Sequence, residues 1–95
     1  MYRVMIVDDD KPFCDSLQAF NWSAYDCTCV YAAYNGEEAL LKCTEMKPHI
    51  VITDVNMPVM EGISLLRKLH ERCPEICVIL LTVHKDFECA YEAVN

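Results

Sequence analysis

Short apolar runs alternate with amphipathic stretches along the whole chain. Residues 2–7, 27–33, 49–53 and 76–81 are apolar or rich in β-branched and aromatic side chains, which predicts four strands. After each run, apolar residues recur at the spacing of one helix face, which predicts four helices. The expected apolar faces are, in chain order, Phe13, Leu17 and Phe20; Ala39, Leu40, Cys43 and Met46; Ile63, Leu66 and Leu69; and Phe87, Ala90, Tyr91 and Val94.

Polar residues and prolines predict where these helices begin and end. Asp10 and Asn35 stand where N-cap side chains belong, and Glu38 follows Asn35 at the spacing of a capping box. Pro48 is expected to end the second helix and Pro74 to end the third, because proline cannot continue the backbone hydrogen bonding.

The predicted elements follow one another as strand and helix, four times over. Strands that alternate with helices and are apolar in their middles are typical of a parallel sheet covered on both faces. The crossovers between these strands should be right-handed. The sequence therefore predicts a single α/β domain over residues 1–95.

Composition and charge exclude several classes of protein. Eight Lys and Arg against 15 Asp and Glu give a formal net charge of −7, so we expect no direct binding to nucleic acid or to membranes. The longest apolar run, residues 76–81, is far shorter than the roughly 20 residues of a membrane-spanning helix. The seven cysteines are odd in number and lack CxxC pairs, which favours reduced thiols in a cytoplasmic protein over a disulfide scaffold or a zinc site.

Acidic side chains follow the first and third predicted strands. Asp8 and Asp9 come directly after the first strand, Asp54 follows the third, and Thr82 follows the fourth. Because ligands bind at the carboxyl ends of parallel strands, neighbouring first and third strands would bring three carboxylates together. Three anions repel each other unless a cation intervenes, so this arrangement predicts a Mg²⁺ site. Taken alone, the acidic run at residues 8–10 fits a solvent-exposed turn with a helix cap equally well.

Three segments together resemble the receiver domain of two-component response regulators. They are Val7-Asp8-Asp9-Asp10, the D-x-x-M-P-x-x-x-G pattern from Asp54 to Gly62, and Leu80-Leu81-Thr82. The segments occur in the family's order and at suitable intervals along the chain. The resemblance implies a flavodoxin-like fold, in which five parallel strands lie in the order 2-1-3-4-5.

The resemblance also implies roles for individual residues. Asp54 would accept a phosphoryl group from a sensor histidine kinase. Mg²⁺ would be bound by Asp9 directly, by Asp8 largely through water and by the backbone carbonyl of Asn56, with Asp54 also in the metal site. Thr82 resembles the switch residue whose hydroxyl bonds the new phosphoryl oxygen. Such a domain is a signalling phosphoacceptor rather than an enzyme.

Other residues have structural roles in this interpretation. Gly62 is expected to adopt a positive φ before the third helix, which should span residues 63–71. His49, His70 and His84 do not stand at a readable spacing from a nucleophile and an orienting acid. These histidines are therefore expected to be solvent-exposed or packing residues.

The chain departs from the family pattern at its C-terminal end. In the family a fifth strand carries an aromatic switch residue and a Lys that contacts the phosphoryl group, whereas this sequence stops at Asn95 inside the fourth predicted helix. We therefore expect a C-terminally incomplete receiver, truncated after the fourth strand and the fourth helix. Residues 20–23 and 84–91 are similar to receivers joined to AraC-type helix-turn-helix domains, which implies a DNA-binding output domain outside this chain.

Two other functions fit parts of the same pattern. A receiver-like interaction module that does not respond to phosphate would not need the fifth-strand Lys. A Mg-dependent phosphatase with an aspartate nucleophile would also use a strand-end Asp, but the matching downstream Lys does not appear in context.

Without a fifth strand, residues 76–81 would form an exposed apolar edge of the sheet. We therefore expect a homodimer through the fourth strand or the fourth helix.

Overall fold

The four predicted strands form one parallel sheet in the computed structural model, which describes residues 1–55 and 60–81. The strands are β1 (Tyr2–Val7), β2 (Cys27–Ala33), β3 (Ile50–Asp54) and β4 (Cys77–Leu81), and they lie in the order β2-β1-β3-β4. The predicted α/β class and the order of the four strands are therefore confirmed.

Within the described residues, three helices alternate with the strands. They are α1 (Lys11–Gln18), α2 (Gly36–Met46) and α3 (Gly62–Arg72), and a short 3-10 helix, Trp22–Tyr25, precedes β2. The fourth predicted helix, residues 86–95, lies outside the described residues.

The core is built around β1, which pairs with β2 on one side and with β3 on the other. Four consecutive residues of β1, from Val4 to Val7, are almost completely inaccessible to solvent. On one face, a single cluster joins side chains of the sheet to the inner sides of α2 and α3. Its buried members are Met5, Val7, Ala33, Ala39, Cys43, Val51, Leu65 and Leu69.

The predicted caps are present at the first two helices. The carboxylate of Asp10 accepts the backbone N–H of Phe13 at 3.2 Å, and the side chain of Asn35 accepts that of Glu38 at 2.8 Å. The carboxylate of Glu38 in turn accepts the backbone N–H of Tyr34 at 2.8 Å, one residue before the position that a capping box would use. These contacts fix the chain direction at the carboxyl ends of β1 and β2.

The predicted apolar face of the first helix is only partly correct. The fully buried residue of α1 is Cys14, whereas Phe13 and Phe20 are 37% and 47% exposed. Because α1 ends at Gln18, Phe20 lies beyond the helix and stacks on Tyr25 with ring centroids 5.8 Å apart. The smaller Cys14 side chain is therefore the residue that faces the sheet.

The inner face of α3 differs from the prediction, whereas the partial exposure of β4 agrees with the expected apolar edge. Leu65 and Leu69 are fully buried, at a spacing of one helical turn, whereas Ile63 and Leu66 are only partly buried. Along β4, alternate side chains are exposed in the part of the chain that the structure describes, with Ile79 at 44%. The strand is thus apolar in sequence without being buried on both faces.

Gly62 is required for a close approach and not for a positive φ. Neither described glycine has a positive φ, so the predicted conformation of Gly62 is wrong. A Cβ atom at this position would instead collide with the carbonyl oxygen of Asp54. The Gly62 N–H also donates to the carbonyl of Val55 at 2.9 Å, which ties the start of α3 to the end of β3.

Substitution of Gly62 by Ala should therefore destabilise the fold strongly. We expect the free energy of unfolding to fall by about 3 kcal/mol, because backbone atoms must move to admit the Cβ atom. Urea denaturation of Gly62→Ala measures this loss, and Ser64→Ala, at an exposed position of the same helix, is the matched control. A loss no larger than that of the control would show that no close approach exists.

Candidate functional site

Parallel pairing of β1 with β3 brings three carboxylates to one edge of the sheet. Val7, the last residue of β1, is in register with Thr53 of β3. The residues that follow them, Asp8 and Asp54, therefore lie next to each other. One carboxylate oxygen from each of Asp8, Asp9 and Asp54 lies within 4.8 Å of the others. We call these three residues the acidic cluster.

Asp8 is the buried member of the acidic cluster, with 6% of its surface exposed. Its backbone N–H donates to the carbonyl of Ala33 at 3.0 Å, and its Oδ1 accepts the backbone N–H of Asp10 at 2.9 Å. The Cys14 thiol donates to the Asp8 carbonyl at 3.3 Å. The end of β2 and the first turns of α1 therefore hold this carboxylate in place. Sequence reasoning did not single out Cys14 for this contact, because a small apolar residue in a helix carries no distinctive signal.

The electrostatics of the acidic cluster oppose further negative charge. Burial raises the pKa of Asp8, and the neighbouring Asp54 and Asp9 raise it further, against the lowering effect of the Asp10 N–H. Burial, reinforced by the charge of Asp8, also raises the pKa of the Cys14 thiol to about 11. The acidic cluster thus creates a negative electrostatic potential at the carboxyl ends of the strands, which a bound cation would reduce.

Two of the sequence-predicted site residues lie outside the described part of the chain. They are Asn56, expected to offer its backbone carbonyl, and Thr82, expected to contact the phosphoryl group. The structure brings Asp8, Asp9 and Asp54 together. The roles of Asn56 and Thr82 stay predictions.

Two of the three histidines lie within the described residues. His49 precedes β3 at the opposite edge of the sheet, where its Nδ1 accepts the backbone N–H of Arg3 at 2.9 Å. The ring also packs edge-on against Tyr2 at 5.4 Å. His70 is exposed on α3.

A comparison with protein families identifies the domain. Residues 4–95 match the response regulator receiver domain. The chain belongs to this receiver domain family. The resemblance seen in the sequence is thus confirmed.

Curated relatives are longer bacterial proteins. The transcriptional regulatory protein YesN of Bacillus subtilis is 36% identical over 96 residues, which cover the whole of this chain and 26% of the relative. HptR of Staphylococcus aureus, also a transcriptional regulatory protein, is 37% identical over 90 residues, covering 93% of this chain and 34% of the relative. The receiver therefore spans about a quarter to a third of the length of these relatives.

Solved structures of receivers superpose closely on this chain. The receiver of AraT from Geobacillus stearothermophilus has a TM-score of 0.90 at 28% identity, covering 98% of this chain and 73% of that one. A two-component transcriptional regulator, AraC, from Clostridium phytofermentans has a TM-score of 0.85 at 33% identity, covering 94% and 73%. These similarities establish the flavodoxin-like receiver fold. Among the described residues, no helix has the length and apolar character needed to cross a membrane.

Replacement of Asp8 by Asn should stabilise this receiver near pH 7 without divalent cations. The amide keeps an oxygen for the Asp10 N–H but removes one of three clustered charges, so we expect a gain on the order of 1 kcal/mol. Because the pKa of Asp8 is raised in the folded state above its ordinary 3.8, ionisation of Asp8 lowers stability as the pH rises above that value. The gain should therefore shrink as the pH is lowered toward 3.8.

Urea denaturation of wild type and Asp8→Asn at several pH values measures this difference. Asp15→Asn, at an exposed position of α1, is the matched control and should leave stability nearly unchanged. A destabilised Asp8→Asn variant near pH 7 would contradict the expected repulsion.

Proposed function

We propose that this receiver accepts a phosphoryl group on Asp54 from a sensor histidine kinase, with Mg²⁺ bound at the acidic cluster. The observation that carries the proposal is the approach of three carboxylates to within 4.8 Å at the ends of neighbouring strands of a receiver. Asp54 is the acceptor in this proposal because it opens the D-x-x-M-P-x-x-x-G pattern.

The acidic cluster suits Mg²⁺ by the chemistry of its donors. Mg²⁺ prefers oxygen ligands and usually combines one or two carboxylates with water and phosphate oxygens. Asp8, Asp9 and Asp54 would hold the ion, with Asn56 contributing its backbone carbonyl. Bound there, Mg²⁺ supplies positive charge for the phosphoryl oxygens. The pKa of Asp8 is raised mainly by burial and further by the neighbouring Asp54 and Asp9 carboxylates, whose charge a bound cation would neutralise.

The transfer itself needs little covalent chemistry from the protein. A carboxylate oxygen of Asp54 attacks the phosphorus of the kinase phosphohistidine, an O–P bond forms, and the P–N bond breaks. The electron pair of that bond leaves with the imidazole, which takes up a proton. Positioning of the acceptor and neutralisation of charge are therefore the main tasks of the site. The Thr82 hydroxyl is proposed to hydrogen-bond the transferred group.

The longer relatives support a role in gene regulation for the parent protein. YesN and HptR are transcriptional regulatory proteins, and this receiver spans only part of each. We propose that the phosphorylated receiver acts on a DNA-binding output domain in the same polypeptide. The acidic chain, at a net charge of −7, would not itself contact DNA.

The expected cytoplasmic location and the expected homodimer belong to the same proposal. A kinase that acts on Asp54 and an output domain on DNA both require a cytoplasmic receiver.

The proposed homodimer would use apolar surface on β4, where Ile79 and Leu81 are 44% and 36% exposed.

Phosphorylation of Asp54 is tested by intact-protein mass spectrometry after incubation with acetyl phosphate and Mg²⁺. We expect one phosphoryl adduct on the wild type and none on Asp54→Asn, because the amide is not a nucleophile for this transfer. Asp15→Asn is the matched control and should be modified like the wild type. An adduct on Asp54→Asn would contradict the assignment of the acceptor, and an unmodified wild type would favour the phosphate-insensitive interaction module.

Mg²⁺ binding is tested separately by thermal denaturation across a magnesium series. A ligand that binds only the folded state adds roughly 2.7 kcal/mol at a hundredfold excess over its Kd, so the melting temperature of the wild type should rise with magnesium. Asp9→Ala should lose most of the rise, whereas Asp15→Ala should retain it. A melting temperature that does not respond to magnesium would count against the site even if Asp54 were phosphorylated.

A further inference from the structure

A cavity lined by two cysteines lies at the amino ends of the strands, opposite the acidic cluster. The cavity has a volume of about 470 Å³ and opens between the C-terminal ends of α2 and α3. Its lining includes Cys43, Pro48, Cys73 and Ile76. Cys43 lies on α2 and Cys73 directly follows α3, and neither takes part in the proposed phosphoryl transfer.

Cys43 is the inner of these two thiols. It lies on the buried face of α2 with 2% of its surface exposed, and its sulfur is 3.9 Å from that of Met5. Leu69 of α3 belongs to the same core cluster. The side of α3 that bears Leu69 therefore faces the part of the core that contains Cys43.

Cys73 follows Leu69 by four residues at the end of α3. Cys73 is the C-cap residue, and its backbone N–H donates to the Leu69 carbonyl at 2.7 Å, which completes the last turn of α3. Cys73 lies one turn beyond Leu69 along the chain and lines the same cavity as Cys43. Cys73 is half-buried, so solvent reaches it through the cavity.

We propose that Cys43 and Cys73 are a redox-active pair that forms an intramolecular disulfide when Cys73 is oxidised by a hydroperoxide. The shared cavity and the difference in exposure carry this assignment. It is independent of the phosphoryl chemistry at the other edge. The cavity also leaves space for the end of α3 to adjust, since a disulfide needs its Cα atoms within about 4.4–6.8 Å.

The oxidation proceeds in two balanced steps. The Cys73 thiolate attacks one oxygen of the hydroperoxide, an S–O bond forms and the O–O bond breaks, which gives a sulfenic acid and an alcohol or water. The Cys43 sulfur then attacks the Cys73 sulfur, an S–S bond forms and the S–O bond breaks. Water leaves with the proton of Cys43. The two thiols together supply the two electrons that reduce the peroxide.

The order of the two steps follows from the surroundings of each thiol. Burial, together with the nearby Cys73, raises the pKa of the Cys43 thiol to about 11. Cys43 is therefore a protonated, enclosed thiol at neutral pH, whereas Cys73 is the one that a peroxide reaches first. The second step should be slow at neutral pH and faster in mild alkali.

The bond would close a loop that contains the whole of β3 and Asp54. Cross-linking residues 43 and 73 reduces the freedom of the unfolded chain and should raise the melting temperature by on the order of 10 °C. A thiol reductant should reverse the change. The oxidised and reduced forms are otherwise expected to have the same fold.

Peptide mapping tests the pair directly. The protein is treated with hydrogen peroxide, free thiols are alkylated, and a tryptic digest is analysed without reduction. The wild type should yield residues 43–67 linked to residues 73–85, with the summed mass of the two peptides less two hydrogen atoms. A non-reducing gel should show that the linked species is a monomer.

Variants separate Cys73 from Cys77, which lies in the same tryptic peptide. Cys77→Ser, at an exposed position, should keep the link and the rise in melting temperature. Cys73→Ser, a small change at a half-buried position, should lose both while melting like the reduced wild type. A link that persists in Cys73→Ser, or a Cys73 sulfenic acid that is trapped by dimedone without any link to Cys43, would overturn the proposal.

Discussion

The parallel pairing of β1 with β3 is the contact on which the rest of this receiver depends. The register of Val7 with Thr53 sets the level at which both strands end, and therefore brings Asp8 and Asp54 together from distant parts of the chain. A shift of one residue would turn every side chain of the strand to the opposite face of the sheet. The buried side chains of β1 oppose such a shift, so the same packing that stabilises the core also fixes the acidic cluster.

The acidic cluster lowers the stability of the folded domain, because its carboxylates repel one another and one of them is buried. Asp8 is nearly buried and lies beside two further carboxylates, which is why its pKa is raised. Its surroundings are nevertheless well ordered by hydrogen bonds from the Asp10 N–H and the Cys14 thiol. A fixed set of oxygens with unrelieved repulsion binds a cation more readily than a flexible set, because less ordering accompanies binding.

The short apolar runs and the acidic residues that follow them predicted the sheet and, for neighbouring first and third strands, the convergence of the carboxylates, whereas the strand order was implied by the resemblance to receiver domains. The inner faces of the helices were harder to predict. Phe13 is large and apolar yet partly exposed, whereas the small Cys14 meets the sheet, and hydrophobicity alone does not distinguish the two. Gly62 was recognised as special for the wrong reason, since the carbonyl that excludes a side chain there comes from a strand, and only the tertiary structure reveals that contact.

Carboxylates lie at the carboxyl ends of the strands and two thiols lie at the opposite ends. At one edge, backbone N–H groups and parallel strand ends hold carboxylates close to solvent, where a charged partner can approach. At the other, Cys43 is buried against the core, and this burial raises the pKa of its thiol, whereas Cys73 is half-buried beside a cavity. β3 joins the two edges, running from the histidine that bonds Arg3 to the aspartate of the acidic cluster. Any change that shifts this strand along its axis must therefore alter both edges together.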